Sequence, residues 1–192
     1  MMKIIGFQLL IMGCVLFGTS SCTEAPQVNE QDEFLKQLHQ IDSIYNSGQL
    51  IHLDAYEIGK FKDIEISVES IDVNNYSFQY INLDAVIYRS YGNRQREVAR
   101  ILPAECKYLI SAIDVIKKNL NRSTNHEERY VYVTKDGIRI GAYNWGGAEW
   151  TIIFSTDYNN EYSKVYLNAG DLDSLKSIIN QSLVKIEEIK KL

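Results

Sequence analysis

The chain has 192 residues, a formal net charge of −5 and 45% hydrophobic residues, which suits one folded domain with a substantial core. Its two prolines and 13 tyrosines exclude a disordered polar chain and favour a strand-rich body. The net acidic charge also disfavours binding to nucleic-acid phosphates, which requires clustered Lys and Arg.

The first 22 residues have the order of an export signal. Lys3 precedes the apolar run 4–17, and the small residues Thr19, Ser20 and Ser21 precede Cys22. The run of 14 residues is too short for a spanning helix, which needs about 20. The segment resembles the signal peptides of bacterial lipoproteins. That resemblance implies a signal peptide over 1–21, lipidation of Cys22, and a polar tether over 22–32.

Two alternatives remain at this end of the chain. Lipidation at Cys14 would leave an apolar segment, 15–17, at the mature N-terminus, where lipoproteins carry a polar tether. The other alternative is an ordinary secretory signal with an incidental cysteine. Thr23 follows Cys22, and the resemblance then implies the outer membrane, with the protein facing the periplasm or the cell surface. Signal and composition together resemble the small lipoproteins of Bacteroidota.

Cysteine content predicts a fold that is stabilised by packing. Residues 1–21 carry Lys3 as their only charge, so the remaining 171 residues have 19 Lys and Arg against 25 Asp and Glu. With Cys14 removed and Cys22 lipidated, Cys106 is the single remaining thiol and cannot form an intramolecular disulfide.

Hydrophobic periodicity predicts a helix, several strands and a second helix in the first half. The first helix is predicted over 33–46, from apolar residues at three- and four-residue spacing. Alternating or apolar runs predict a weak strand at 51–56 and strands at 63–69, 77–88 and 97–102. Pro103 is at the favoured first position of a helix that extends to Asn119, and the polar segment 121–127 is predicted to be a linker.

The second half repeats this order. Strands are predicted at 130–134, 138–145, 150–155 and 163–167, with a hairpin turn at Lys135-Asp136-Gly137. A long helix is predicted from Gly170 to the C-terminus, because its apolar residues recur at helical spacing.

The two halves, about 50–120 and 128–192, align with an offset of about 66 residues, which places Cys106 on Leu172 and Ile113 on Ile179. Coincidence is the alternative, since many α+β domains end a meander with a helix. The predicted fold is a single α+β domain over 33–192. It has one antiparallel sheet of six to eight strands, built from two meander-plus-helix halves. Helices Pro103–Asn119 and Gly170–Lys191 lie on one face, and the N-terminal helix covers a sheet edge or leads back to the tether.

This element order, with the segment EVARILPAECKYLISAIDVI (97–116), resembles the ββββα duplication of Pur-type and Whirly-type domains. The resemblance implies their fold and single-stranded nucleic-acid binding. Arg89, Arg94, Arg96 and Arg100 form one basic patch on an acidic, exported chain. We therefore retain the fold, expect no nucleic-acid partner, and keep nucleic-acid binding as an alternative that rests on topology alone.

Catalytic patterns are weak in this sequence. His39, His52 and His126 are far apart and have no metal-ligand spacing. Cys106 lies on an apolar helix stripe, which is typical of a core residue. Adjacent acidic pairs, Glu127-Glu128 and Glu187-Glu188, are typical of solvated surface charge. We expect no metal, no cofactor and no enzymatic activity; an envelope carbohydrate- or peptide-processing enzyme remains the alternative.

One cluster has binding potential. Tyr143, Trp145 and Trp150 flank the Gly146-Gly147 turn, and Asn144 is beside them to supply hydrogen bonds. The alternative is that the two tryptophans stack across a hairpin. The favoured function is a non-catalytic binding or assembly lipoprotein whose sheet surface or Tyr/Trp cluster contacts an envelope protein or a glycan. The oligomeric state is left open.

Overall fold

The computed structural model describes residues 28–48, 50–73, 76–88 and 93–191. The predicted signal peptide, Cys22 and the tether up to residue 27 lie outside these residues. Arg89 of the predicted basic patch also lies outside them.

Helices and strands follow each other in the order α1, four strands, α2, four strands and α3. A short 3₁₀ turn at Glu161–Ser163 precedes the last strand. The elements are α1 (Val28–Asn46), β1 (His52–Phe61), β2 (Ile64–Val73), β3 (Tyr76–Tyr88), β4 (Arg94–Ile101), α2 (Pro103–Asn119), β5 (Thr124–Val133), β6 (Arg139–Gly147), β7 (Thr151–Ser155), β8 (Lys164–Leu167) and α3 (Ala169–Ile189).

The strands form two antiparallel sheets of four, with orders β1-β2-β3-β4 and β5-β6-β7-β8. The predicted α+β class and antiparallel pairing are confirmed, but the prediction of a single sheet of six to eight strands is only partly matched, because the eight strands form two sheets. The reason lies in α2, which carries the chain away from the free edge of β4. Strand β5 then begins a new hairpin with β6 instead of pairing with β4.

Both sheets and both long helices share one core. Alternate residues of the strands point inward, as Ile64, Ile66 and Val68 do in β2. The predicted apolar stripes of α2 and α3 are buried in the same core. Helix α2 packs mainly on β5 and β6, α3 packs mainly on β1, β2 and β3, and the two helices contact each other. Each helix thus lies against the sheet of the other half, not on one face of a common sheet.

Several boundaries differ from the prediction; β1, for example, extends to Phe61 and β2 to Val73. Helix α1 begins at Val28, five residues before the predicted start. Strand β5 begins at Thr124, inside the predicted linker. Its first residues are polar and mostly exposed, which an edge strand tolerates because only one side of it is paired.

Helix α1 covers part of the outward face of the first sheet. Leu38 and Ile41 are buried against Ile71, Tyr80 and Leu102, in a small cluster separate from the main core. Ile71 lies three residues after Val68 in β2, and an odd separation along a strand places a side chain on the opposite face. The outward face of the second sheet carries no such helix within the described part of the chain.

Candidate binding face on the second sheet

Strand register places an apolar row across the outward face of the second sheet. Val131 is paired with Gly141, Gly141 with Ile153, and Ile153 with Tyr166, so the row crosses all four strands. Val131 and Tyr166 are 49% and 68% exposed at its two ends, whereas Gly141 and Ile153 between them are buried. Val133 continues the apolar surface along β5 and is also exposed. We call this surface, with the two aromatic residues described next, the open face.

Two aromatic residues extend the open face along β6. Tyr143 and Trp145 point outward, and their rings stack with centroids 6.2 Å apart and planes 19° apart. The Tyr143 ring lies over Gly141, where an added Cβ would be only 3.0 Å from the tyrosine Cε2 and Oη atoms. Gly141 therefore makes room for the Tyr143 ring. The stack leaves Trp145 66% exposed, the largest exposure among the described aromatic residues of the sheet after Tyr166.

Charged side chains flank the apolar row. Arg129 pairs with Glu127 on β5, and Lys164 on β8 pairs with Glu161 of the 3₁₀ turn. Arg139 lies between Val133 and Ser155 in the register. Its Nε and Nη2 atoms are buried and have no hydrogen-bond partner among the described residues. The surroundings of the row are therefore polar, and the Arg139 donors without a partner are buried and do not lie on the surface.

Trp150 does not belong to this surface. Its indole N–H donates to the backbone oxygen of Arg122 at 2.9 Å. Its ring lies 5.6 Å from that of Tyr130, which packs against the core on the inward side. The structure thus separates the two tryptophans, with Trp145 outward and Trp150 at the core, so they do not stack across the hairpin.

Asn144 has a local structural role. It is 1% exposed and therefore buried on the inward side of β6. Its Oδ1 accepts from the Gly146 N–H at 2.7 Å, and its Nδ2 donates to the Gly147 oxygen at 3.2 Å. Gly146 and Gly147 both have positive φ, 92° and 142°, which glycine adopts readily. Asn144 thus holds the glycine end of β6 that follows Trp145, and it is not placed to contact a ligand on the open face.

The apolar row itself was missing from the predicted cluster. Val131, Val133 and Ile153 each lie in a predicted strand. Alternation shows which residues of one strand share a face of the sheet. Which residues of different strands meet depends on register, and one sequence does not fix register. The tyrosines illustrate this, because Tyr143 and Tyr166 point outward whereas Tyr130 and Tyr132 pack against the core.

Two arginines of the predicted basic patch, Arg96 and Arg100, are paired with carboxylates. Arg96 donates to both oxygens of Asp84 at 2.7–2.8 Å. Arg100 donates to Asp42 of α1 at 2.6 Å, and Arg94 lies over the Tyr88 ring at 5.4 Å. A shallow cleft beside these residues, of about 480 Å³, is lined by acidic and basic side chains together. This region offers no continuous positive surface within the described residues.

The histidines are separate in the structure as well. His52 lies 3.7 Å from Asp72 and 3.8 Å from Asp54, because β1 and β2 pair at this point. All three side chains are substantially exposed, and their potential ligand atoms lie within 4.8 Å of one another. His126 lies 3.3 Å from Glu128 on β5. The meeting of His52 with Asp72 was not predicted, since it depends on the hairpin register.

Buried titratable groups lie away from the open face. Burial raises the pKa of Glu105 at the start of α2 and of Asp136 in the β5–β6 turn. Burial also raises the pKa of the Cys106 thiol to about 12, as expected for a core cysteine. The two carboxylates, Glu105 and Asp136, join the two halves of the fold.

A comparison with family models, curated proteins and solved structures finds no match for this chain. Among the described residues, none of the helices has the length and apolar character needed to cross a membrane.

Proposed function

We propose that this chain is a non-catalytic lipoprotein of the cell envelope that binds a partner protein through the open face. The observation that carries the proposal is the set of exposed apolar side chains on the outward face of the second sheet, Val131, Val133, Trp145 and Tyr166, on which no helix of the described residues packs. Exposed apolar side chains with a polar rim are typical of interaction sites in folded proteins.

A protein partner fits the composition of this surface better than a glycan. Val131, Val133 and Ile153 are aliphatic and offer no flat ring to a sugar, whereas aliphatic and aromatic residues together suit the core of a protein interface. The Tyr143–Trp145 stack also covers one face of each ring, which reduces the area available for a sugar. The described open face carries no pair of free carboxylates that would support hydrolysis, since Glu127 is paired with Arg129.

The envelope location rests on the sequence. We propose that Cys22 carries the lipid, that residues 1–21 are removed, and that the anchor holds the domain at the outer membrane. Mass spectrometry of the mature N-terminus tests this part separately. An N-terminus other than a lipidated Cys22 would contradict it without touching the binding proposal.

Site-specific photo-crosslinking in the native cells tests the binding proposal. A photoreactive amino acid is placed at Val131 on the open face, and the matched control is Val98, an edge-strand valine on the outward face of the first sheet. The two residues are 49% and 48% exposed, so accessibility does not distinguish them. We expect a discrete crosslinked protein from position 131 and not from 98, lost when Trp145→Asp is added. Equal crosslinking from both positions, or none from 131, would contradict the proposal.

The same variants separate the other classes of ligand. A glycan partner would bind on a glycan array in a Trp145-dependent way and give no protein crosslink from position 131. A nucleic-acid partner would give salt-dependent binding to single-stranded oligonucleotides, since phosphate contacts release counterions. Either result in place of the crosslink would show that the open face binds a glycan or a nucleic acid instead of a protein.

A further inference from the structure

The register of the β1–β2 hairpin brings one imidazole and two carboxylates together at the end farthest from its turn. His52 is paired with Asp72, and Asp54 follows His52 by two residues on the same face of β1. His52 Nδ1 lies 3.7 Å from Asp72 Oδ2 and 3.8 Å from Asp54 Oδ2. One nitrogen or oxygen atom of each residue lies within 4.8 Å of those of the other two. Sequence spacing did not reveal this group, because Asp72 comes from the next strand.

Paired backbone holds the three side chains in place. Tyr56 and Val68 form the last row of this face that packs in the main core, and the row Asp54–Ser70 and then the row His52–Asp72 follow it. Residues opposite each other in an antiparallel pair have Cβ atoms about 4.5–5.5 Å apart, so His52 and Asp72 are neighbours whenever the hairpin is formed. No loop has to close to assemble the group.

The charges of this group are not balanced by a basic side chain. Among the residues that the structure describes, Asp54 and Asp72 have no ion pair with a lysine or an arginine, and His52 is their only ion-pair partner. An imidazole carries a positive charge only when it is protonated, and otherwise its free nitrogen is an electron-pair donor like the carboxylate oxygens. Three such donors that face one another suit a shared cation.

The separations are close to those of a metal site. Zn²⁺ binds a histidine nitrogen and carboxylate oxygens at about 2.0–2.2 Å, so two ligand atoms of a tetrahedral site lie about 3.4 Å apart. Both distances from His52 Nδ1 exceed this value by less than about half an ångström, which small side-chain rotations remove. Such rotations are free here, because the side chains of His52, Asp54 and Asp72 are 69%, 47% and 50% exposed.

We propose that His52, Asp54 and Asp72 bind one divalent d-block metal ion, with Zn²⁺ as the representative. The imidazole selects this class, since Mg²⁺ and Ca²⁺ prefer oxygen ligands alone. Three protein ligands leave the fourth position of a tetrahedral ion to water or to a group of another molecule. The site belongs to the first sheet, so it is independent of the open face and of the proposed function.

A protonated His52 that pairs with the two carboxylates, without affinity for metal, is the competing interpretation. Isothermal titration of the mature chain with Zn²⁺ at pH 7.5 distinguishes the two. The protein is residues 22–192 with Cys22→Ser and without an affinity tag, and Cys106 does not compete because it is buried. The matched control is His126→Ala, because the His126 side chain is 66% exposed and lies beside one carboxylate, Glu128, instead of two.

We expect one saturable Zn²⁺ per chain. His52→Ala and Asp72→Asn should each weaken the affinity at least about tenfold, since each removes a ligand. His126→Ala should leave the affinity within about twofold, and an excess of Mg²⁺ should not displace Zn²⁺. Circular dichroism checks that each variant is folded.

Nitrogen-15 spectra of the wild-type imidazoles provide a test that needs no variant. On addition of Zn²⁺, the Nδ1 resonance of His52 should shift, and those of His39 and His126 should not. Absence of saturable binding, equal weakening by His52→Ala and His126→Ala, or an unshifted His52 resonance would overturn the inference. The crosslink from position 131 is unaffected by any of these results.

Discussion

The carboxylate of Glu105 accepts a hydrogen bond from the backbone N–H of Lys135 at 2.8 Å, which joins the start of α2 to the β5–β6 turn. Glu105 is 1% exposed. In the same turn, the carboxylate of Asp136 accepts from the backbone N–H of Arg100 at 2.6 Å, at the free edge of β4. Two carboxylates, the buried Glu105 and the half-buried Asp136, thus connect the halves of the fold.

The free energy of unfolding of Glu105→Gln, relative to that of wild type, should increase as pH rises. Burial raises the pKa of Glu105 above its ordinary value near 4.5, so the folded state holds the proton more tightly than the unfolded state. Wild-type stability therefore falls as pH rises from about 4.5 toward the raised pKa. Glutamine keeps an acceptor for the Lys135 N–H and has no charge to bury. Urea denaturation at pH 4.5 and pH 7.5 measures the difference in free energy of unfolding between the variant and wild type.

Glu105→Ala provides the contrast. It leaves the Lys135 N–H without its acceptor, so it should be less stable than Glu105→Gln by about 1–3 kcal/mol at both pH values. Glu149→Gln, in the exposed turn after β6, is the matched control and should change neither the stability nor its pH dependence. A Gln variant that tracks wild type across pH would show that Glu105 does not carry the effect.

Substitution of the two tryptophans by alanine should lower the free energy of unfolding by very different amounts. Trp150→Ala removes a ring that packs on Tyr130 and a hydrogen bond to the Arg122 oxygen, so we expect a loss of about 2–4 kcal/mol. Trp145→Ala removes an exposed ring, and we expect a loss below about 1 kcal/mol. Chemical denaturation of the two variants measures both values. Equal losses would contradict the assignment of Trp145 to a free surface.

Sequence periodicity sufficed for the element order, because each helix stripe and each alternating strand is a local pattern. Pro103 is the first residue of α2, as predicted, and the weak strand at 51–56 is the beginning of β1. The division into two sheets was not predictable in this way, since it depends on whether β5 pairs with β4 or with β6. Pairing of β5 with β4 and pairing of β5 with β6 are both compatible with the alternation of apolar and polar residues in these strands.

The candidate site was predictable only in part for the same reason. Tyr143 and Trp145 were found because aromatic residues beside a Gly-Gly turn are conspicuous. Trp150 is also close to the two glycines in sequence, but it lies immediately before β7. Its ring packs on Tyr130 instead of lying on the open face. Val131 and Tyr166 lie 35 positions apart and meet across the sheet through Gly141 and Ile153.

Gly141→Ala should disturb the Tyr143–Trp145 stack. The new methyl group would lie 3.0 Å from the Tyr143 ring atoms and 3.2 Å from the Tyr130 backbone oxygen, so the ring must move. We expect a loss of about 1–2 kcal/mol, as for overpacking at other sites. In a Tyr143→Ala background the loss should be smaller, because only the backbone contact remains. A double-mutant cycle measures this coupling, and additive losses would show that the ring does not rest on Gly141.

Cys106 should be inert to thiol reagents in the folded protein. Burial raises the pKa of its thiol to about 12, so almost no reactive thiolate is present at neutral pH. In the mature chain with Cys22→Ser, iodoacetamide should leave Cys106 unmodified for hours and label it fully in guanidinium, as followed by mass spectrometry. Rapid labelling of the native protein would indicate that α2 opens far more readily than its burial implies.

Tyr80→Phe should loosen α1 from the first sheet without unfolding the main core. The buried Tyr80 hydroxyl donates to Glu69 at 2.5 Å and lies 3.0 Å from the Tyr45 hydroxyl of α1. Removing it leaves the Glu69 carboxylate without this donor, which should cost about 1.5–3 kcal/mol for a hydrogen bond to a charged group. Because Tyr80 belongs to the small cluster beneath α1, the loss should fall mainly on docking of that helix.

Hydrogen exchange measured by mass spectrometry locates this loss. Each 1.4 kcal/mol corresponds to about a tenfold faster exchange through local opening, so amides of α1 should exchange about ten- to a hundredfold faster in Tyr80→Phe. Amides of α2 and α3 should be unaffected, because those helices pack in the main core. Tyr166→Phe, which removes a hydroxyl from an exposed tyrosine on the open face, is the matched control and should leave exchange unchanged. Faster exchange throughout the chain would instead show that α1 and the main core unfold as one unit.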